Sequence, residues 1–412
     1  MKFIILLFPV ILFAREYTIS GERDSVQAYI GKIAEGDTIT LKAGSYTWSS
    51  PVNINGKGLT LRGIDSSKVK ITTATNNFMI NVTEARSQSI YITDLSINKG
   101  SYGASFIYIN DNNGKPVVIG RCRFTWYPNA SGSNNIMVYF DTRKGLVYDC
   151  FFDLGGWSYD VQVIQALKCK NLNDSASWRT ADTMGDKDID GEGNLYVEDC
   201  TFRDFHQGAF DWDDNSRTVT RYCDFYDCAS GGHGFCTSPY GARHWEFYNN
   251  RYFYDSDQSD YPSLRYPDNI NPFIWNRGGT GVIFNNTFQN ITSQAWGNKP
   301  EILFSVFAIN RNCGQIPCCT NYPCERQIGQ GYDGSKYFTD PVYLWNNQGT
   351  FTIAVGGYNP DECGNGQKIS DYLQVNRDYY NNTPKPGYQP FTYPHPLRTN
   401  RLDISIKAKI TK

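Results

Sequence analysis

The chain carries almost no net charge: 39 Lys and Arg against 41 Asp and Glu leave a formal charge of -2 over 412 residues. Without a basic excess there is no electrostatic case for nucleic-acid binding, whose footprint is a basic patch or stripe. Long hydrophobic runs are equally scarce. After residue 14 no stretch of eighteen apolar residues occurs, so the sequence offers no candidate for a membrane-spanning helix. The apolar run Phe3 to Phe13, followed by Ala14, stands behind Met1-Lys2 and is too short to cross a bilayer. It reads as a secretory signal over residues 1–14, with no cysteine near its end to carry a lipid, and the mature chain is expected to be exported and soluble.

Cysteine, by contrast, is plentiful at twelve residues, and in an exported chain that points to disulfides. The twelve fall into different settings. Cys313, Cys318, Cys319, Cys324 and Cys363 crowd a polar, turn-rich stretch around "NCGQIPCCTNYPCERQ", where at least one bridge is expected in an insertion over about 311–335. Five is an odd number, so one partner lies elsewhere or stays free. Cys122, Cys150, Cys200 and Cys223 instead recur in similar short contexts and behave as a repeat.

That repeat is the main architectural signal. "YITDLSI", "VIGRCRF", "LVYDCFF", "YVEDCTF", "TRYCDF", "EFYNNRY", "VIFNNTF" and "YLWNNQG" each end a β-prone run in a small or polar residue, followed two positions on, in all but the last, by an apolar one. The register residues Leu95, Cys122, Cys150, Cys200, Cys223, Asn250, Asn286 and Asn347 imply a unit of roughly 22 to 28 residues, with decorated coils at the larger gaps. Strands at this period without intervening helical pattern indicate a solenoid. Stacked coils place equivalent positions about 4.8 Å apart, so these cysteines form a buried thiol ladder that the asparagines continue. Near the start, Asp24 is expected to cap a helix carrying Val26, Ile30 and Ile33 on one face, with Gly36-Asp37 closing it and period-two runs following around Ile39, Val52 and Leu59.

These features resemble the right-handed parallel β-helix of the pectin-lyase-like superfamily, in which a short amphipathic helix plugs the first coil. The resemblance implies an all-β solenoid over about residues 15–360 with an N-terminal capping helix and a Cys-rich loop region near its C-terminal end. Residues 361–412, including the proline- and tyrosine-rich "DYYNNTPKPGYQPFTYPHPLRTN", would flank the solenoid and shield its edge. The alternating "RLDISIKAKITK" would cap it or pair with a second copy.

The chemistry concentrates in "GAFDWDDNSR". Alternation sends Phe210 and Trp212 to the core and Asp211 and Asp213 to the other face, toward solvent. Aligning "GAF" with the "HGF" of "CASGGHGF" sets Phe210 against Phe235 and brings His233 near the aspartates. "CASGGHGF" is similar to the histidine motif of polygalacturonase-type glycoside hydrolases. That resemblance implies that Asp213 and Asp214 supply acid and base, that His233 orients them, and that Asp190 is a third carboxylate. Arg243 would meet substrate charge, with His206 and His244 beside the groove. A lyase using Arg217, Arg221 or Arg243 as base is the other enzyme reading.

A calcium loop competes for one of these residues. "DKDIDGEGNLYVE" puts Asp186, Asp188, Asp190 and Gly191 at the first, third, fifth and sixth positions of a D-x-D-x-D-G loop, with the Glu192 carbonyl as a further ligand. The expected function is cleavage of an acidic or neutral polysaccharide; the reading from another class is a non-catalytic adhesive or filament-forming solenoid that contacts surface glycans or itself.

Overall fold

The computed structural model describes residues 14–75, 77–84, 86–99, 105–110, 114–126, 135–142, 144–154, 164–170, 188–205, 208–231, 242–254, 272–290, 301–305, 322–323, 327–332, 335–356 and 368–398. Successive coils deliver one strand to each of three faces. Among the described residues the first face is a twelve-stranded parallel sheet running from Glu16–Ile19 to Tyr379–Tyr380, and the second is a ten-stranded sheet from Gly44–Trp48 to Gln348–Gly349. The third face is split. A six-stranded sheet runs from Val52–Asn55 to Phe210–Trp212, and a four-stranded sheet from Ser230–Gly231 to Thr352–Gly356. This is a parallel β-helix.

The coil-to-coil register is the one the repeat predicts. Arg123, Phe151, Thr201, Asp224, Arg251, Thr287 and Gln348 are register partners in turn along the second sheet, so the residues before them stack as well. Those are Cys122, Cys150, Cys200, Cys223, Asn250, Asn286 and Asn347. The cysteines among them are buried free thiols. The asparagines stitch the coils together: Asn250 Nδ2 donates to Asn286 Oδ1 at 3.1 Å and Asn286 Nδ2 to Asn347 Oδ1 at 3.0 Å. Two positions on, Phe124, Phe152, Phe202, Phe225, Tyr252 and Phe288 form an inward ring stack with centroids 4.6 to 5.0 Å apart, the strand spacing of a sheet. The last rung is Gly349 because a Cβ there would lie 1.8 Å from the Phe288 carbonyl oxygen, and its φ is +101°.

From the third coil on, the turn from the first sheet to the second uses one residue in the left-handed region. Asp94, Arg121, Asp149, Asp199, Tyr222, Asn249, Asn285 and Asn346 have φ between 50° and 59°, and six of the eight are the Asp or Asn residues that tolerate this conformation best.

The helix spans Arg23–Lys32 and buries Val26 and Ile30 against the first coil, with Ile33 buried behind it. Its N-cap is Glu22; Asp24 lies inside the first turn, where its negative charge complements the helix dipole. The expected cap at Asp24 is therefore corrected to Glu22, two residues earlier. Gln27 locks the helix to the edge strand, accepting from Asn53 N at 2.8 Å and donating to Asn53 O at 3.1 Å.

Residues 388–398 lie as a strap over the outward side of the first sheet, where Tyr388 and Phe391 join Tyr148, Tyr196, Val219 and Tyr248 in a second apolar cluster. Beneath it Arg221 and Glu198 form a fully buried ion pair, and Arg221 also donates to the Phe391 and Thr392 carbonyls. Of the insertion, Gln330–Tyr332 and Tyr337–Thr339 make a small antiparallel hairpin. Residues 1–13, Cys313, Cys318, Cys319, Cys324, Cys363 and the terminal "RLDISIKAKITK" lie outside the described residues.

Candidate functional site

Strand Phe210–Trp212 closes the six-stranded sheet. It pairs with Ile164–Lys170, placing Phe210 beside Leu167, Asp211 beside Lys168 and Trp212 beside Cys169. Phe210 and Trp212 stack at 4.4 Å in the core, as alternation requires, and Asp211 takes the opposite face. Asp213 N donates to Cys169 O at 2.9 Å, which extends the pairing until Ser216 N closes the turn on Asp213 O at 2.8 Å. Within that turn Asp214 and Asn215 have φ of 39° and 63°. Short polar side chains suit such positions.

The expected exposure of these carboxylates is not what the fold provides. Asp211 is 3 % exposed, and Asp213 and Asp214 are fully buried. Carboxylates removed from water need partners, and two lysines on the preceding coil supply them. Lys168 Nζ is ion-paired with Asp211 Oδ2 and lies 3.2 Å from Asp213 Oδ2. Lys170 Nζ lies 3.1 Å from Asp214 Oδ2 and 3.8 Å from Asp213 Oδ2. Asp213 is thus bracketed by both ammonium groups, and the cluster meets solvent through the lysine side chains, 14 % and 19 % exposed.

Burial, with Asp211 beside it, pushes the Asp213 carboxyl up to about 7 against the pull of Lys168 and Lys170. Burial works against the Lys168 ammonium, but Asp211 and Asp213 outweigh it and hold the group above the ordinary lysine range. Tyr139, the register partner of Lys168, is raised by burial and by Asp141, Tyr108, Asp214 and Asp213, so its hydroxyl stays protonated. The cluster therefore offers a carboxylic acid able to hold a proton near neutrality and, in Lys168, a cation that does not give its proton up.

Upstream, the same outward face is polar and aromatic. One column runs Asn53, Asn81, Tyr108, Tyr139, Lys168, Asp211 by direct register. Beside it, Asn55 pairs with Thr83, Thr83 with Asn110, and Asp141 with Lys170. Asn81 Nδ2 donates to Asn53 Oδ1 at 3.0 Å and Thr83 Oγ1 to Asn55 Oδ1 at 2.8 Å. Phe78 stacks on Tyr108 at 4.7 Å, and Tyr108 meets Tyr139 at 5.1 Å.

The other expected residues are not gathered here. His206, His233 and Asp186 lie outside the described residues. Ala209 N donates to Ala229 O at 2.7 Å; by the same bonding pattern that joins Leu167 to Phe210, Ala209 sits opposite Ser230 and Phe210 opposite Gly231. The alignment of Phe210 with Phe235 is displaced by four residues. Arg243 is no free substrate cation: it is buried, and its Nη2 donates to Asp340 Oδ2 at 2.6 Å. His244 is buried under the strap on the first sheet, with Nε2 2.9 Å from Glu246 Oε1, and desolvation lowers its pKa. Arg217 is its register partner there, and Arg221 is the strap anchor.

Of the expected calcium ligands, Asp188 and Asp190 are described, and both carboxylates are engaged by the protein's own donors. Asp188 is buried and accepts from Asn194 Nδ2 at 2.9 Å, Tyr196 OH at 2.8 Å and Gly193 N at 3.0 Å. Asp190 accepts from Glu192 N, and the Glu192 side chain pairs with Lys115 at 2.7 Å. Among the described residues no three His, Cys, Asp or Glu side chains are placed to share a metal. Asp190 belongs to this loop and makes no contact with the aspartate cluster among its described bonds.

No family model matches the chain, and no curated protein matches it. Among solved structures it is similar to the Dettilon tailspike protein (gp208), at TM-score 0.42 and 10 % identity over 81 % of this chain and 58 % of that one. It is similar to a mannuronic acid specific polysaccharide family 6 lyase from human gut microbiota, at TM-score 0.36 and 15 % identity over 85 % of each chain. A third is ORF18 of Geobacillus virus E2, at TM-score 0.36 and 12 % identity over 67 % of this chain and 56 % of that one. The matches thus span little more than half of the tailspike protein and of ORF18. Likeness at this level concerns the fold and leaves chemistry to be argued from the site. By its own sheets and register, the chain is a parallel β-helix solenoid.

Proposed function

We propose that this protein is a glycan-cleaving hydrolase in which Asp213 donates the proton to the glycosidic oxygen and Asp214 activates the attacking water. One observation carries the reading: the adjacent buried carboxyl groups of Asp213 and Asp214 are bracketed by Lys168 and Lys170 at the end of a solenoid sheet, where burial and Asp211 push Asp213 upward. A general acid for glycoside cleavage must be protonated near working pH while its partner is not. The partner proposed here is Asp214, whose Oδ2 lies 3.1 Å from Lys170 Nζ. Burial and the neighbouring Asp211 keep the proton on Asp213 against the pull of Lys168 and Lys170. His233, outside the described residues, keeps the orienting role that its motif implies, and export through residues 1–14 is part of the same proposal.

The lyase reading is weaker because its candidate bases are not at the cluster: Arg221 is paired with Glu198, Arg243 with Asp340, and Arg217 lies on the first sheet, while Lys168 is held as an ammonium by Asp211 and Asp213. The burial of Asp213 favours a second reading, in which the network only ties adjacent coils together and the solenoid is non-catalytic.

The test is the purified chain against a panel of polyuronides and neutral glycans, following new reducing ends and unsaturated-product absorbance together. Reducing ends without absorbance, lost in Asp213→Asn while the variant stays folded, support the hydrolase. Absorbance instead supports elimination, and a folded chain inactive on the whole panel supports the structural reading.

A further inference from the structure

We infer that the sugars bound at the Lys168–Asp213 cluster carry no anionic groups, so that the substrate is a neutral glycan and not a polyuronide. The inference rests on the reading above and narrows its substrate.

The first support is a count of charge. Asp141, Asp211, Asp213 and Asp214 stand against Lys168 and Lys170 on one face, and with a proton on Asp213 the carboxylates still outnumber the ammonium groups. Both lysines are already engaged, Lys168 by Asp211 and Asp213 and Lys170 by Asp214 and Asp213. A uronate arriving here would need to break one of these pairs, exposing a buried carboxylate in the same step. Arg243, the cation expected to receive it, is committed to Asp340.

The second support is the approach to the cluster. The column leading to Lys168 holds the amides of Asn53 and Asn81 and the rings of Tyr108 and Tyr139, and among the described residues it has no cation before Lys168. Amides and phenols recognise hydroxyl groups, and aryl faces suit the apolar sides of sugar rings. Coils rise by about 4.8 Å, close to the length of one sugar residue in an extended glycan, so successive rings meet successive coils. Nothing on this column is suited to a chain with a carboxylate on every residue.

Matched pairs of ligands test this. Binding of the full-length protein to polygalacturonate and to alginate is measured by calorimetry beside their carboxyl-reduced forms, which keep linkage and remove charge, with laminarin and xylan as further neutral glycans. At low ionic strength a neutral glycan is expected to bind roughly tenfold or more tighter than either polyuronide, and added salt should strengthen polyuronide binding by screening the repulsion. Polyuronides that bind as tightly as the neutral forms, and lose affinity with salt, overturn the inference. Cleavage of a polyuronide that disappears in Asp213→Asn would do so while leaving the proposed catalysis standing. Absence of binding and of cleavage with every glycan removes the catalytic reading and this inference together.

Discussion

Lys168 and Asp211 are register partners on adjacent coils, and their side chains are ion-paired on the outward face of the six-stranded sheet. The pairing joins residues 43 positions apart in sequence and fixes the charge environment of Asp213, whose carboxylate Lys168 also reaches at 3.2 Å.

Removing the proton donor should cost the most activity. Asp213→Asn is nearly isosteric and is expected to lower kcat by about 10²- to 10⁴-fold, the usual contribution of a general acid, with the thermal transition retained. Arg243→Gln, which breaks the contact with Asp340, should instead lower stability. Kinetics and thermal denaturation on the same preparations separate the two effects.

The pH dependence follows from the direction of the Asp213 shift. Activity that needs the protonated form should fall as pH rises through about 7. Asp211 raises that value by repulsion, so Asp211→Asn should move the basic limb of kcat/KM to lower pH. A limb that stays in place would show that Asp211 does not act on the proton donor.

Much of the solenoid was legible because its signal is local and repeated. Cys122, Cys150, Cys200 and Cys223, and then Asn250 and Asn286, mark one position per coil, and each is followed two residues later by a ring of the core stack. The left-handed corner residues were not legible, since Arg121 and Tyr222 share no chemistry with Asp94 or Asn249. Alternation assigned Asp211 and Asp213 to the correct face, but it does not report burial. The lysines were missed because their strand precedes the aspartates by a decorated coil. The available signal was "LKCK", where Lys168 and Lys170 flank the inward Cys169 as Asp211 and Asp213 flank Trp212.

The asparagine ladder gives a stability prediction. Asn250 Oδ1 accepts from Cys223 N at 2.9 Å, and Asn250 Nδ2 donates to Thr220 O at 3.0 Å. Asn250→Leu leaves both backbone groups buried without those bonds and is expected to cost about 1–3 kcal/mol or more. Asn250→Cys, which installs the residue that four earlier coils carry at this position, should cost less. Chemical denaturation of the two variants checks the order.

Acid should loosen the strap. His395 donates from Nε2 to Gly191 O at 3.2 Å and accepts at Nδ1 from Leu397 N at 3.2 Å, an arrangement that requires the neutral ring. Burial, with Arg221 nearby, lowers its pKa to about 4. Because the folded value lies below the unfolded one, this contribution is complete above about pH 6.5 and is lost as pH falls toward 4, by roughly 3 kcal/mol at most. Hydrogen exchange across residues 388–398 should therefore rise on acidification beyond the intrinsic change, and His395→Gln should show less of that rise. Equal slopes in the two proteins would assign the acid response elsewhere.

The most direct measurement is an infrared titration of the carboxyl groups in the folded protein, comparing the native chain with Asp213→Asn. The account predicts one protonated carboxyl band that disappears near pH 7 in the native protein and is missing from the variant. A native protein whose carboxyl groups are all ionised by pH 5 would contradict the assignment of Asp213 as the proton donor.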